Sequence, residues 1–356
     1  MSMLKSIAIA GFKSFGAEAK VPLRPLNVLI GANGSGKSNF LDAFSFLQAY
    51  GRGGVEAHVE RSGGADKTLH FGTRHTEVSD IRIEFPGGEH CRLRLHPTVS
   101  DKIGTSFGYG TGFTKLDGEK SKTVRDLEDK CRERLASWRQ YHFHDTSFHS
   151  PMKKTSNLHD NRFLREDGSN LASFLYLLRE RHKASYGLIR NTIRQVAPFF
   201  DDFALEPLEL NPGTILLEWR HRNSDAYFNA ASLSDGTLRF MGLAALLLQP
   251  AALRPDIVLL DEPELGLHPY AIAILAAMLR SASKETQIVV ATQSPGLLDH
   301  FEPEDVLTAE RVGGETRLNR LEAEPLREWL EDYSLGQLWE KNHFGGRPAR
   351  EGSDTG

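Results

Sequence analysis

Apolar positions along the chain switch between a period of two and a helical period, and the changeovers mark its elements. Residues 4–9 alternate apolar with small or polar side chains, 19–23 read as a second extended piece, and 26–30 form a nearly continuous apolar run, the pattern of a buried strand. Phe40, Leu41, Phe44 and Leu47 then recur at helical spacing, predicting a helix to about Tyr50 that stops at Gly51. Residues 51–72 read as a glycine-rich polar connector. Residues 78–85 and 91–96 read as antiparallel strands turning at Pro86-Gly87-Gly88, with Cys91, Leu93 and Leu95 on one face and Arg92, Arg94 and His96 on the other. That second face is a solvated surface or a contact for a phosphate backbone. The turn-rich stretch 97–118 reads as loop.

A stripe of Val124, Leu127, Cys131, Leu135 and Trp138 predicts a charged helix over 123–139, only ~25 Å long. Leu171, Phe174, Leu175 and Leu178 mark a helical region over 169–197 that divides near Ser185. Short strands follow at 205–210, 214–220 and 226–229, with turns at 211–213 and 223–225. Strand and helix then alternate: helix 234–248, strand 257–260, helix 269–281, strand 287–291. This βα order calls for a largely parallel sheet covered by helices. The tail from Arg311 reads as strand, then helix near 325–331, then a loose end.

The 356 residues, 40% hydrophobic and 25% charged, describe ordinary globular protein with a sizeable core. A formal net charge of -4 confines any nucleic-acid contact to a local patch. Cys91 and Cys131 lack a metal-binding or paired spacing, which argues against a disulfide framework and fits a reducing cytoplasm. No apolar run reaches the ~18 residues of a membrane span and no signal peptide is evident, so the expected location is cytoplasmic, with no membrane partner.

The chemistry is concentrated in three places. Gly31-Ala32-Asn33-Gly34-Ser35-Gly36-Lys37-Ser38 fits G-x-x-x-x-G-K-[ST] between strand and helix, with Asn39 following. Its glycines let backbone N–H groups approach β-phosphate oxygens at a helix N-terminus. Lys37 reaches the β- and γ-phosphates, and the Ser38 hydroxyl is a Mg²⁺ ligand. Ile257-Val258-Leu259-Leu260-Asp261-Glu262 is an apolar strand ending in two acids, the Walker B pattern: Asp261 holds Mg²⁺ and Glu262 orients or deprotonates the attacking water. Leu233-Ser234-Asp235-Gly236 opens a helix. Beyond N-capping, Ser234 and the Gly236 N–H offer a second anion site for a nucleotide held by another copy of the chain.

Two weaker features remain. In Gly11-Phe12-Lys13-Ser14-Phe15-Gly16, Lys13 is either an ordinary loop lysine or lies over the nucleotide. His142, His144, Asp145 and His149 invite a metal reading, but without a third convergent ligand a structural or phosphate-side role is favoured.

Together with Asp261-Glu262-Pro263-Glu264-Leu265-Gly266-Leu267-His268-Pro269 and Ala291-Thr292-Gln293-Ser294-Pro295, these motifs resemble ABC-type ATPases of the RecF/SMC class, and more closely single-head bacterial ATPases related to the OLD family. Gly11-Phe12-Lys13-Ser14-Phe15 matches their N-terminal strand-loop. The resemblance implies an α/β P-loop ABC-type ATPase head with a mostly parallel core sheet, an antiparallel β subdomain and a helical middle lobe. On this scheme 1–96 is the first half of the head, 97–200 a helical insertion, 201–345 the second half and 346–356 a flexible tail. It implies ATP and Mg²⁺ as cofactors and a homodimer with ATP between two heads. Ser234 and Gly236 then act in trans, residues 264–267 form the inter-head D-loop and Gln293 senses the γ-phosphate. Where many relatives carry His, Gln293 offers a neutral amide, and no Gln stands at an obvious Q-loop position between Gly51 and Val78. A nuclease, if involved, is expected on a separate chain.

The expected function is therefore an ATP-dependent switch for a nucleic acid or a partner effector, of the kind found in genome maintenance or phage defence. The rival is a non-catalytic clamp stabilised by nucleotide. A transporter ATPase, a long SMC tether and a GTPase fit less well. Thr114-Lys115-Leu116-Asp117 mimics a guanine motif but precedes Walker B.

Overall fold

The computed structural model describes residues 3–98, 101–110 and 122–346. They fall into two compact units: one takes the described parts of Met1–Arg139, Asp256–Leu259 and Gln287–Gly356, the other Gln140–Pro255 and Leu260–Thr286.

The first unit carries an antiparallel sheet in the order Ala19–Pro22, Ser6–Ala10, Ser79–Glu84, His90–Pro97, Ile103–Gly110. Its register sets Ile9 opposite Ile81, Ile81 opposite Leu93 and Leu93 opposite Phe107, so period-two alternation builds one buried apolar face. The other face is compensated locally: Arg92 and Arg94 both turn onto Asp80, and Arg82 onto Glu18. Ile103–Gly110 corrects the loop expected over 97–118. Its glycines and hydroxyl residues show no apolar rhythm, and the ladder to His90–Pro97 makes it a strand. Helices Val55–Arg61 and Ala65–Thr68 likewise replace the expected connector, their flanking glycines ending them rather than unwinding them.

In the unit's second sheet, Gln287–Thr292 and Val306–Val312 flank Leu26–Ile30 in parallel, and Glu315–Arg320 pairs antiparallel with Val306–Val312. Ile257–Asp261 follows Gln287–Thr292 in the strand order, and its first three residues belong to this unit. Neighbours on both sides explain why every residue of Leu26–Ile30 and Gln287–Thr292 is buried. Helix Lys37–Gly51 buries Phe40, Leu41, Phe44 and Leu47 as its spacing predicted, and packs against helix Lys122–Ser137.

The cysteines correct the sequence reading. Strand His90–Pro97 turns Cys91 inward and the apolar stripe of Lys122–Ser137 does the same with Cys131, so the two sulfurs meet in the core as a disulfide. A separation of 40 residues hid a pairing that only the sheet–helix packing creates.

The second unit holds helices Leu171–Arg181 and Lys183–Val196, divided at His182, together with Asp235–Leu248 and Pro269–Ala282. Two small antiparallel sheets accompany them: Pro207–Leu208, Asn211–Ile215 and Ser156–Asn157, and Tyr227–Asn229, Glu218–His221 and Phe200–Ala204. The strand expected at 205–210 is reduced to Pro207–Leu208, Phe200–Ala204 is a strand the sequence reading did not expect, and the expected turn at 211–213 opens a strand.

At the C-terminal end two short helices, Ala323–Leu326 and Trp329–Asp332, stand where one was expected near 325–331, and a third, Leu335–Glu340, follows. The guanine-like stretch 114–117 and residues 347–356 lie outside the described residues. No helix among the described residues is long and apolar enough to cross a membrane.

Candidate nucleotide-binding site

Buried strand Leu26–Ile30 delivers the chain to the glycine loop, and helix Lys37–Gly51 takes it away. Each glycine has its own reason. A side chain on Gly31 would meet the Ala309 carbonyl, and one on Gly36, at φ 102, would overlap Thr316 Oγ1. Gly34, at φ 77, has no atom within 4 Å of its Cβ position, so the loop is open at this point. This is the shape a phosphate group requires, with helix N-terminal amides at its base. Lys37 is buried and its Nζ donates to Gly31 O at 2.7 Å and Ala32 O at 3.0 Å, which fixes the ammonium along the loop. Ser38 is exposed beside it.

The surroundings of the loop are polar and ordered. Asn39 Nδ2 donates to Ser14 Oγ at 2.7 Å, and Thr316 Oγ1 donates to Ser35 O at 2.9 Å. Gln293, just past strand Gln287–Thr292, donates through Nε2 to Asn33 Oδ1 at 2.7 Å. A cavity of about 440 Å³ opens alongside, lined by Lys13, Ser14, Asn39, His70, Phe71 and Arg311 among others. Phe71 stands 61% exposed there at φ 53, its ring 4.1 Å from that of His70. Lys13, also at positive φ, places its ammonium 2.6 Å from Asp42 Oδ2, while its carbonyl accepts from His70 Nδ1 at 2.7 Å. Burial raises the Asp42 pKa, but His58 and Lys13 outweigh it and hold the carboxyl below its ordinary range.

In the second unit, Asp261 ends its strand and Glu262 takes φ 43, a left-handed backbone rare for a non-glycine residue and a form of strain that recurs at functional sites. Ser234 caps helix Asp235–Leu248, its Oγ accepting from Thr237 N at 3.2 Å, and it is exposed. The turn that opens helix Asp235–Leu248 and the segment after Glu262 are in contact: a side chain on Gly236 would overlap the Gly266 carbonyl. One turn along the helix, Arg239 is buried and donates from Nε to Phe143 O and from Nη2 to His144 O, both at 3.2 Å. Burial pushes its guanidinium below the usual range, with Asp235 opposing.

The histidine cluster resolves differently from a metal centre. Among the described residues no group of three or more His, Cys, Asp or Glu could hold an ion. Asp145 Oδ1 instead accepts from Ser147 N at 3.0 Å. Partial desolvation, then His144, push the His142 imidazole below its usual range, while Asp261 and Glu166 pull it up. His142 thus stands within electrostatic reach of Asp261, a relationship that spacing could not show. Asp42, Phe71 and Arg239 also escaped the sequence reading. A lone arginine inside the run Leu238-Arg239-Phe240-Met241 is the signal that would have found Arg239.

The fold matches solved SMC heads. An Smc head bound to the C-winged helix domain of ScpA aligns at 17% identity over 92% of this chain and 99% of that one, with a TM-score of 0.67. The Smc head domain with an extended coiled coil from Pyrococcus furiosus, bound to the C-terminal domain of ScpA, aligns at 15% over 93% and 99%, with 0.64. The SMC head domain from Thermotoga maritima gives 16%, 90%, 99% and 0.53. No curated protein sequence matches the chain. The architecture is that of an ABC/SMC-type ATPase head, as the motifs implied. Residues 26–299, most of the chain, match the AAA_21 profile, described as AAA domain, putative AbiEii toxin, Type IV TA system, and the chain belongs to that family.

Proposed function

We propose that the chain is an ATP-binding and ATP-hydrolysing head that dimerises around two ATP molecules and acts as a switch for a nucleic acid or a partner effector. The observation that carries this reading is the glycine loop with Lys37 fixed along it, Gly34 open and Gln293 bonded to Asn33. The residues fit the ligand. Gly31, Ala32, Asn33, Gly34, Ser35, Gly36, Lys37, Ser38 and Asn39 cradle the phosphates, and Lys13 serves the nucleoside side, where the cavity with Phe71 gives a base room to stack. Ser38 and Asp261 are the residues that would hold Mg²⁺, which would supply neutralisation of the phosphate charge. Glu262 takes the proton of the attacking water. Ser234 and Gly236, at the exposed start of a 14-residue helix, serve the nucleotide of the second copy. The Smc heads named above as bound to ScpA domains lend support to a separate partner subunit.

Phosphate release tests the catalytic part. The wild-type chain is expected to hydrolyse ATP, Lys37→Ala to lose ATP binding, and Ser234→Arg to bind ATP without turnover. A chain that binds ATP and releases no phosphate is the non-catalytic clamp, and undiminished turnover by Ser234→Arg removes the trans role.

A further inference from the structure

The chain after Ser334 runs from one edge of the glycine-loop region to the other. A capping box at Ser334 starts helix Leu335–Glu340, which buries Leu335 and Leu338. Gly336 seats this helix beside the segment that follows Gln293: its N–H donates to Asp299 Oδ1 at 2.6 Å, and a Cβ there would lie 2.5 Å from Pro295 O. Pro295 begins the short helix that follows Gln293 by two residues.

The other end grips the glycine loop. After Asn342 at φ 63, Gly345 and Gly346 take φ 80 and 83, backbone that side chains resist. Gly346 N donates to Glu310 Oε1 at 2.7 Å, and Gly346 O accepts from Ala32 N at 2.8 Å. A side chain on Gly345 would overlap the Glu310 carboxylate, and the Cβ position of Gly346 lies 3.6 Å from Gly31 Cα. One anchor therefore adjoins Asn33 through Ala32, and the other adjoins Gln293 through Pro295. Those are the two residues joined by the 2.7 Å amide bond across the loop.

We infer that residues 335–346 are a positioning strap, anchored by Gly336 at one end and by Gly345 and Gly346 at the other, that holds Gln293 at a fixed distance from Asn33 and so sets the rate of ATP turnover without touching ATP. The inference rests on the nucleotide reading above. In a site where a misplacement of about 1 Å costs large factors in rate, a strap tied to both edges is a control point.

The test compares wild type with Gly345→Val and, in case that chain fails to fold, with Glu310→Ala, which removes the acceptor for Gly346 N–H and leaves the loop backbone untouched. Hydrogen exchange at the Ala32 amide reads the strap directly. It is expected to quicken about tenfold or more in both variants. Phosphate release is expected to fall about tenfold while ATP affinity stays within about threefold, the mark of a lost positioning effect rather than lost binding. Unchanged Ala32 exchange, or faster exchange with wild-type turnover, overturns the strap alone. A wild-type chain that neither binds nor hydrolyses ATP overturns the nucleotide reading as well, and the Ala32 exchange tells the two failures apart.

Discussion

Gln293 Nε2 donates to Asn33 Oδ1 at 2.7 Å, joining the end of one parallel strand to the loop that leaves its neighbour. A neutral amide at this position donates a hydrogen bond without carrying charge, so its contribution is orientation. Gln293→Ala is expected to lower turnover on the order of 10²-fold, as removal of a placed donor does elsewhere. ATP affinity should stay within about threefold, since the glycine loop is intact. Phosphate release and a binding titration read the two quantities; wild-type turnover would mean the bond serves only the resting loop.

Asp42 ties the N-terminal loop to helix Lys37–Gly51 through Lys13 at 2.6 Å and to helix Val55–Arg61 through His58 at 3.3 Å. Its folded-state pKa lies below the ordinary 3.8, because His58 and Lys13 overcome the upward push of burial. A depressed folded value contributes stability that is complete above the unfolded pKa and is lost as pH falls through the folded one. Asp42→Asn should therefore be less stable than wild type at neutral pH and lose less on acidification toward about pH 3. Denaturant unfolding across that range checks the slope, and parallel curves for the two proteins would contradict it.

Much of the core was legible because its signals are local. Gly34 and Gly36 announce backbone that only glycine adopts readily, Ser234 announces a helix start, and the apolar run into Asp261 announces a buried strand end. The failures share a cause: each depended on a partner outside the segment's own pattern. Ile103–Gly110 has little apolar rhythm and exists as a strand because His90–Pro97 pairs with it. Cys91 finds Cys131 only once sheet and helix pack. Arg239 reads as an oddity in an apolar helix until Phe143 and His144 bring it two carbonyls, and Lys13 discloses nothing of Asp42.

Arg239 joins helix Asp235–Leu248 to the segment that carries His142, and its two acceptors are backbone carbonyls. Arg239→Met keeps the apolar stem and leaves those carbonyls without their donor, so a loss of about 2 kcal/mol is expected. Arg239→Lys, which retains a donor but not the fork, should recover part of it. Chemical denaturation measures both, and a Met variant as stable as wild type would show that water replaces the guanidinium at no cost.

On the proposed function, two copies close around ATP, each supplying Ser234 and Gly236 to the nucleotide bound by the other. Light scattering on Glu262→Gln with ATP and Mg²⁺ tests this most directly, because loss of the proposed base is expected to stop hydrolysis and preserve the bound state. A species of twice the chain mass that disappears when ATP is omitted is the predicted result. A monomer at every saturating ATP concentration would contradict the account.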